Sequence, residues 1–141
     1  MTFYEWTDRQ GNSYKKWLNE NKDYHREDGP AYIRIWPNGN TCREEFYIRG
    51  LPHRTDGPAV TGYHLYGSIA SESFFNYGEF HREDGPSNIR YDPDGSIFYE
   101  RFDLKGFYLG NDREGFWALW DRLNYKQRQH KNILKLLVRY S

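Results

Sequence analysis

One heptapeptide occurs three times in this chain: His25-Arg26-Glu27-Asp28-Gly29-Pro30-Ala31, His53-Arg54-Thr55-Asp56-Gly57-Pro58-Ala59 and His81-Arg82-Glu83-Asp84-Gly85-Pro86-Ser87. The histidines lie 28 residues apart at both steps, and Gly11, Gly39, Gly67 and Gly95 keep the same step. A period held in register in this way predicts one supersecondary unit stacked on its copies. The expected fold class is mainly β. Four tandem 28-residue β-hairpin units (about 2–31, 32–59, 60–87 and 88–111) form an elongated twisted antiparallel sheet, and residues 112–141 form a C-terminal α-helical cap.

Punctuation within the period predicts hairpins. Pro37-Asn38-Gly39 and Pro93-Asp94-Gly95 carry tight-turn chemistry. A short β-rich run precedes each, Tyr32–Trp36 and Ile89–Tyr91, and a second follows each, Thr41–Ile48 and Ile97–Leu104. Arg49-Gly50, Tyr77-Gly78 and Lys105-Gly106 mark a further turn. Read at the common step, the second strands align as rows: Tyr14/Cys42/Ala70/Phe98, Lys16/Glu44/Glu72/Glu100 and Leu18/Phe46/Phe74/Phe102. The last is a continuous apolar row, because facing side chains on neighbouring strands pack. The glutamates are expected to meet arginines such as Arg34 and Arg90 on the preceding strand. Within the heptapeptide, Gly29, Gly57 and Gly85 are expected to supply positive φ, and the proline to start a strand. Asp28, Asp56 and Asp84 are expected to bond the turn backbone, with His25, His53, His81 and the arginines bracing it.

A mean hydropathy of -1.05 would suit disorder, but the net charge is zero and the chain holds 13 Tyr, 9 Phe and 5 Trp. Disordered chains are poor in aromatics. Aromatic rows on a thin sheet reconcile the two facts, since Tyr and Trp suit half-wet positions. Zero net charge also removes any global basic field. Cys42 is the only cysteine, Met1–Gln10 lacks a basic-then-apolar leader, and Ile133–Val138 is too short to span a bilayer. These features predict a soluble cytoplasmic protein with no transmembrane segment.

From Asp112 the period changes. Phe116, Trp120, Leu123, Gln127, His130, Leu134 and Leu137 fall at helical spacing. One helix over Arg113–Val138 would run about 40 Å at about 1.5 Å per residue; two shorter helices bending near Asn124 fit as well. Phe116, Trp117 and Trp120 suit the capping of an open sheet end. Residues Asp121–Ser141 carry a net charge of +5 through Arg122, Lys126, Arg128, Lys131, Lys135 and Arg139, against Asp121 alone. The segment reads either as a solvated helix face or as a basic amphipathic helix that meets an acidic partner, a membrane surface or nucleic acid.

Tandem β-hairpins with an aromatic-x-x-Gly turn and a His-containing linker resemble MORN repeats (membrane occupation and recognition nexus). The His-Arg-x-Asp-Gly-Pro-Ala form is similar to variant repeats of bacterial, phage and large-virus proteins, some of them antitoxin-like. The resemblance covers Tyr24–Gly110 well, Thr2–Asp23 weakly, and the tail not at all. The 28-residue unit is longer than an ordinary MORN unit and has fewer glycines and more Tyr and Phe. The resemblance implies a scaffold or interaction surface, and extends to an inhibitor of a toxin, nuclease or host-defence protein in a bacterial host cell.

The repeated His, Arg and Asp invite a catalytic or metal reading, which geometry opposes. Equivalent residues one hairpin apart stand two strand spacings away, about 10 Å. Three imidazoles at that pitch cannot share a zinc whose ligands sit at about 2 Å. No phosphate loop, zinc spacing or dinucleotide fingerprint is present, so no catalytic residue, metal or cofactor is expected. The candidate partner-binding residues are Trp36, Tyr47, Tyr77, Arg26, Arg54 and Arg82 on the sheet, and Lys126, Arg128, Lys131, Lys135 and Arg139 on the tail. Tyr, Trp and Arg dominate protein interfaces, which favours a protein partner. The alternative is nucleic acid or an anionic surface read by the tail.

Overall fold

A computed structural model describes the chain from Met1 to Ser141. Four main hairpins close on glycines that only a residue without Cβ accommodates easily: Gly11, Gly39, Gly67 and Gly95 have φ of 88°, 89°, 106° and 90°. In the second, the Gly39 N–H donates to Trp36 O (2.9 Å) and the Trp36 N–H to Asn40 O (2.7 Å). The same pair of bonds recurs around Asp8, His64 and Asp92.

The strands are β1 (Thr2–Thr7), β2 (Ser13–Leu18), β3 (Tyr32–Ile35), β4 (Thr41–Glu45), β5 (Tyr47–Ile48), β6 (Leu51–Pro52) and β7 (Val60–Tyr63). They continue with β8 (Ile69–Ser73), β9 (Phe75–Asn76), β10 (Glu79–Phe80), β11 (Asn88–Tyr91), β12 (Ile97–Leu104) and β13 (Phe107–Asn111). Nine form one antiparallel sheet in the order β1-β2-β3-β4-β7-β8-β11-β12-β13, with β5/β6 and β9/β10 as small side hairpins. The run Thr41–Ile48 is therefore two strands, broken at Phe46, whereas Ile97–Leu104 stays whole.

The heptapeptide links each side hairpin to the next main strand. Its arginine is clamped from several sides. Arg26, Arg54 and Arg82 lie 3.9, 4.1 and 3.9 Å over the rings of Trp17, Phe46 and Phe74. Each Nε donates to the aspartate two residues on (2.9, 2.8 and 2.8 Å), and each Nη1 donates to the proline carbonyl (3.2 Å). The motif glycine closes the clamp. A Cβ on Gly29, Gly57 or Gly85 would stand 2.9, 3.1 or 2.9 Å from the guanidinium carbon. These glycines do not have positive φ, so the expected turn role is replaced by a space requirement. The aspartates likewise hold arginine rather than the turn backbone.

Each histidine ties its loop to the following turn. The Nδ1 atoms of His25, His53 and His81 accept from the backbone N–H of Arg49, Tyr77 and Lys105 at 2.9, 3.1 and 2.9 Å. Those donors sit at φ of 49°, 42° and 49° in the Arg49-Gly50, Tyr77-Gly78 and Lys105-Gly106 turns. Ala31, Ala59 and Ser87, at the end of the motif, are wholly buried.

The sheet register corrects all three expected rows, and Lys15, not Lys16, stands in the row of Glu44, Glu72 and Glu100. Ile35 pairs with Thr41 while Arg34 pairs with Arg43, leaving Cys42 as an extra bulged residue. Ala70 and Phe98 are skipped in the same way. The first hairpin runs from Thr2↔Leu18 to Thr7↔Ser13 without a bulge, so its contacts lie one residue out of step. Tyr14 has no counterpart at Cys42, and Trp17, not Leu18, stands in the row of Phe46, Phe74 and Phe102.

The tail is three helices: α1 (Asp112–Arg122), α2 (Tyr125–Arg128) and α3 (Lys131–Tyr140). Gln127 and His130, which interrupt the apolar stripe, serve as helix starts. Asn124 and Gln127 form a reciprocal capping box, and His130 Nδ1 accepts from the Asn132 N–H at 3.1 Å. The buried stripe then resumes at Ile133 and Leu136, leaving Leu134 exposed. These residues join Phe116, Leu119 and Leu123 against Phe102 in the apolar core. The cap begins where a fourth heptapeptide would stand. Gly110 replaces the arginine, and Phe116 meets Phe102 edge-on at 6.4 Å in place of a guanidinium.

The clamp predicts that Gly85→Ala costs about 1–3 kcal/mol, the usual range for overpacking. The double variant with Arg82→Ala should recover at least about 0.5 kcal/mol relative to additivity, because the clash then has no partner. Urea unfolding of the four proteins measures this, and strict additivity would refute the clamp. Phe116→Ala should cost about 3–5 kcal/mol in the same assay.

Candidate interaction surface

Directly opposed residues of an antiparallel pair share a face, which separates the two sides of the sheet chemically. One side carries Ile33, Glu44, Thr61, Glu72, Ile89 and Glu100 in register. Its glutamates do not meet Arg34 or Arg90, which point to the other side. Tyr63 donates to Glu44 at 2.9 Å and Tyr91 donates to Glu72. Burial, then the Glu44 bond, raises the Tyr63 phenol from 10.0 to about 12, and the same causes raise Tyr91. Glu100, 2% exposed, is served instead by α3: Arg139 Nη1 donates to it at 2.6 Å and the Tyr140 hydroxyl also donates. Burial alone would lower the Arg139 pKa; the Glu100 bond and charge outweigh it and keep the guanidinium charged.

The opposite side is cationic and aromatic. One row reads Tyr4, Lys16, Tyr32, Glu45, Val60, Ser73, Asn88, Arg101, and the next reads Trp6, Tyr14, Arg34, Arg43, Gly62, Ser71, Arg90, Tyr99. Glu45 is the one carboxylate among them, and it holds Arg43. The other cations lie on rings. Lys16 is 5.1 Å from Tyr4 and 5.5 Å from Trp6, Arg34 is 5.7 Å from both Tyr14 and Trp36, and Arg90 is 5.0 Å from Tyr99. Arg101 lies 4.5 Å over Phe80 and 4.9 Å over Tyr108, and also donates to both carboxylate oxygens of Asp103 at 2.9 and 3.1 Å. Two buried donors here, Arg34 Nε and Trp36 Nε1, have no acceptor.

The candidate residues divide by how far the fold engages them. Arg26, Arg54 and Arg82 are spent on the clamps. Tyr47 donates to Glu45 at 2.6 Å and stacks on Tyr24. Burial, followed by the Glu45 bond, pushes its phenol well above the ordinary range. Tyr77 is 57% exposed and stacks on His53 at 3.7 Å, and Trp36 is half-buried. On the tail, Arg128 donates twice to Trp120 O (3.1 and 2.9 Å) and Arg139 is held by Glu100. Lys126, Lys131 and Lys135 are exposed. Burial raises the Cys42 thiol, which opposes a nucleophilic role at neutral pH. Sequence reasoning passed over Lys16, Arg43 and Arg101. Strand alternation could have placed them on one face, but the bulges break that alternation.

The heptapeptide loops line a second surface. Cavities of about 520 Å³ and 790 Å³ lie between the first and second loops and between the second and third. The next position is taken by the cap: Gln127 Nε2 donates to Glu83 at 3.2 Å, and His130 Nε2 lies 3.6 Å from Asp84.

Because the folded-state pKa of Tyr63 lies above its unfolded value, the neutral phenol contributes stability that is complete below pH 10.0 and lost as pH rises through about 12. Titration of phenolate absorbance should show several late-titrating tyrosines, with one fewer in Tyr63→Phe; an unchanged late phase would refute the part-buried Tyr63–Glu44 bond. Asp56 has the opposite sign. The Arg54 bond lowers its pKa from 3.8, so its contribution is present above 3.8 and lost as pH falls through the lowered value. No helix is long and apolar enough to cross a membrane. Comparison with protein-family models, curated proteins and solved structures returns no match.

Proposed function

We propose that this protein is a non-enzymatic interaction module. On this reading, four tandem 28-residue units form an elongated twisted sheet of the MORN-like kind, and its arginine-and-aromatic face engages another protein. The observation that carries the proposal is the pair of rows holding Lys16, Arg34 and Arg90 against aromatic rings with no carboxylate partner, while Glu45 holds Arg43 and Asp103 holds Arg101. Arg and aromatic side chains anchor interfaces because they bury large area and keep a polar tip. The histidines and arginines that invite a catalytic reading are occupied in structural bonds, which supports a binding role over turnover. The resemblance to bacterial and phage repeat proteins extends the reading to an inhibitor of a toxin, nuclease or host-defence protein, acting in the cytoplasm of a bacterial host.

A second reading rests on the tail. Lys126, Lys131 and Lys135 stand exposed, and so does Tyr125 at 80% exposure, a composition suited to nucleic acid or an anionic surface.

Affinity capture from nuclease-treated bacterial lysate separates the two. A stoichiometric protein should be retained by the wild type and by Lys131→Glu/Lys135→Glu, and lost with Arg34→Glu/Arg90→Glu. Capture of nothing but nucleic acid, seen when nuclease is omitted and abolished by the lysine variant, would replace the first reading with the second.

A further inference from the structure

The cationic face is interrupted at its centre. Positions 28 residues apart read Arg34, Gly62, Arg90 and Arg43, Ser71, Tyr99, while the neighbouring row reads Tyr32, Val60, Asn88 and Glu45, Ser73, Arg101. The middle hairpin thus carries small side chains where both neighbours carry large ones. The result is a cavity of about 500 Å³, within the range of small-molecule sites. Gly62 is needed there, since a Cβ would stand 2.9 Å from Ser71 Oγ.

The walls are chemically distinct. The side hairpins contribute rings: Tyr47 on one flank, and Phe75 on the other, tilted against Phe80 at 4.3 Å. The floor contributes Ser71, Ser73 and the buried Asn88, whose Nδ2 donates to Ser73 Oγ at 2.6 Å. One end is a closed hydrogen-bonded group in which Glu45 accepts from both Arg43 and Tyr47. At the other end Arg90 is exposed, lies on Tyr99 and pairs with no carboxylate. Arg34, across from Arg43, adds a further guanidinium whose Nε is buried without an acceptor. Three arginines in one row therefore face a single acid, and the row lacks an anion.

We propose that this cavity binds a nucleoside monophosphate, with its phosphate on Arg90 and the serine hydroxyls and its base against Phe75 and Tyr47. Arginine recognises phosphate through paired, charge-assisted bonds, and aromatic walls accept any base through its π face. The inference uses the cationic face but needs no protein partner, so the lysate experiment and the one below fail independently.

Isothermal titration of the full chain tests it with AMP, adenosine and inorganic phosphate, followed by GMP, CMP and UMP. AMP should bind saturably, with adenosine and phosphate each at least about tenfold weaker, as expected when both the charge and the ring contribute. Arg90→Ala should weaken AMP by about tenfold or more. Ser71→Tyr places at this position the residue already found at Tyr99, so it should fill the cavity, abolish binding and leave the thermal transition unchanged. Lys131→Ala should bind as the wild type does. Absence of saturable binding for all four nucleotides would overturn the proposal. So would undiminished binding by Ser71→Tyr, or phosphate binding as tightly as AMP.

Discussion

The structure depends on a guanidinium held between an aromatic ring and a glycine. Only 20 of 141 residues are buried, so a single-layer sheet of this kind has little core to fix the angle at which each connection leaves it. The clamp supplies that angle. Arg26, Arg54 and Arg82 each cover a ring that would otherwise face water, hold the loop through aspartate and proline, and leave no room for a side chain at the following glycine. A cation over a ring contributes about 0.5–2 kcal/mol depending on desolvation. Three such contacts are therefore a substantial share of a marginal total.

The last hairpin shows what the clamp does by lacking it. Phe102 has no arginine, because Gly110 stands in its place, and it becomes the one wholly buried ring of its row. Phe116, Leu119 and Leu123 close over it. The glutamate row ends in the same manner. Glu44 and Glu72 accept from tyrosines of the next hairpin, whereas Glu100 accepts from Tyr140 and Arg139 of the final helix. The cap thus imitates the groups a further hairpin would have offered, a ring for the phenylalanine and a phenol for the carboxylate.

Much of this was legible in the sequence. The 28-residue step, the Pro-Asn-Gly and Pro-Asp-Gly turns, and the aromatic content together indicate a large antiparallel sheet with a helical end. The misreadings share a cause: each depends on a single residue of register. Cys42, Ala70 and Phe98 look like ordinary strand positions, yet they bulge, and the first hairpin omits the bulge altogether. A one-residue slip moves side chains to the other face. The phase of the first hairpin and the partners of Glu44 and Glu72 therefore lay beyond alternation alone. Gln127 and His130 were visible as breaks in an apolar stripe, but their service as helix starts depends on backbone geometry. The cavity beneath Arg90 was written in the sequence as Gly62, Ser71 and Ser73; without the register, nothing shows that they adjoin.

The imitation performed by the cap bears on how such a chain can change length. The terminal helices meet Phe102 and Glu100 through contacts that Phe74 and Glu72 would offer equally well. Neither end of the sheet therefore counts the hairpins lying between them. Loss or duplication of a 28-residue segment would bring matching surfaces together again, while a gain or loss of one residue would turn a glutamate row to the wrong side. Chains of different span would then fit under the same helical lid, each adding or removing a stretch of the cationic and aromatic face without redesign of either end.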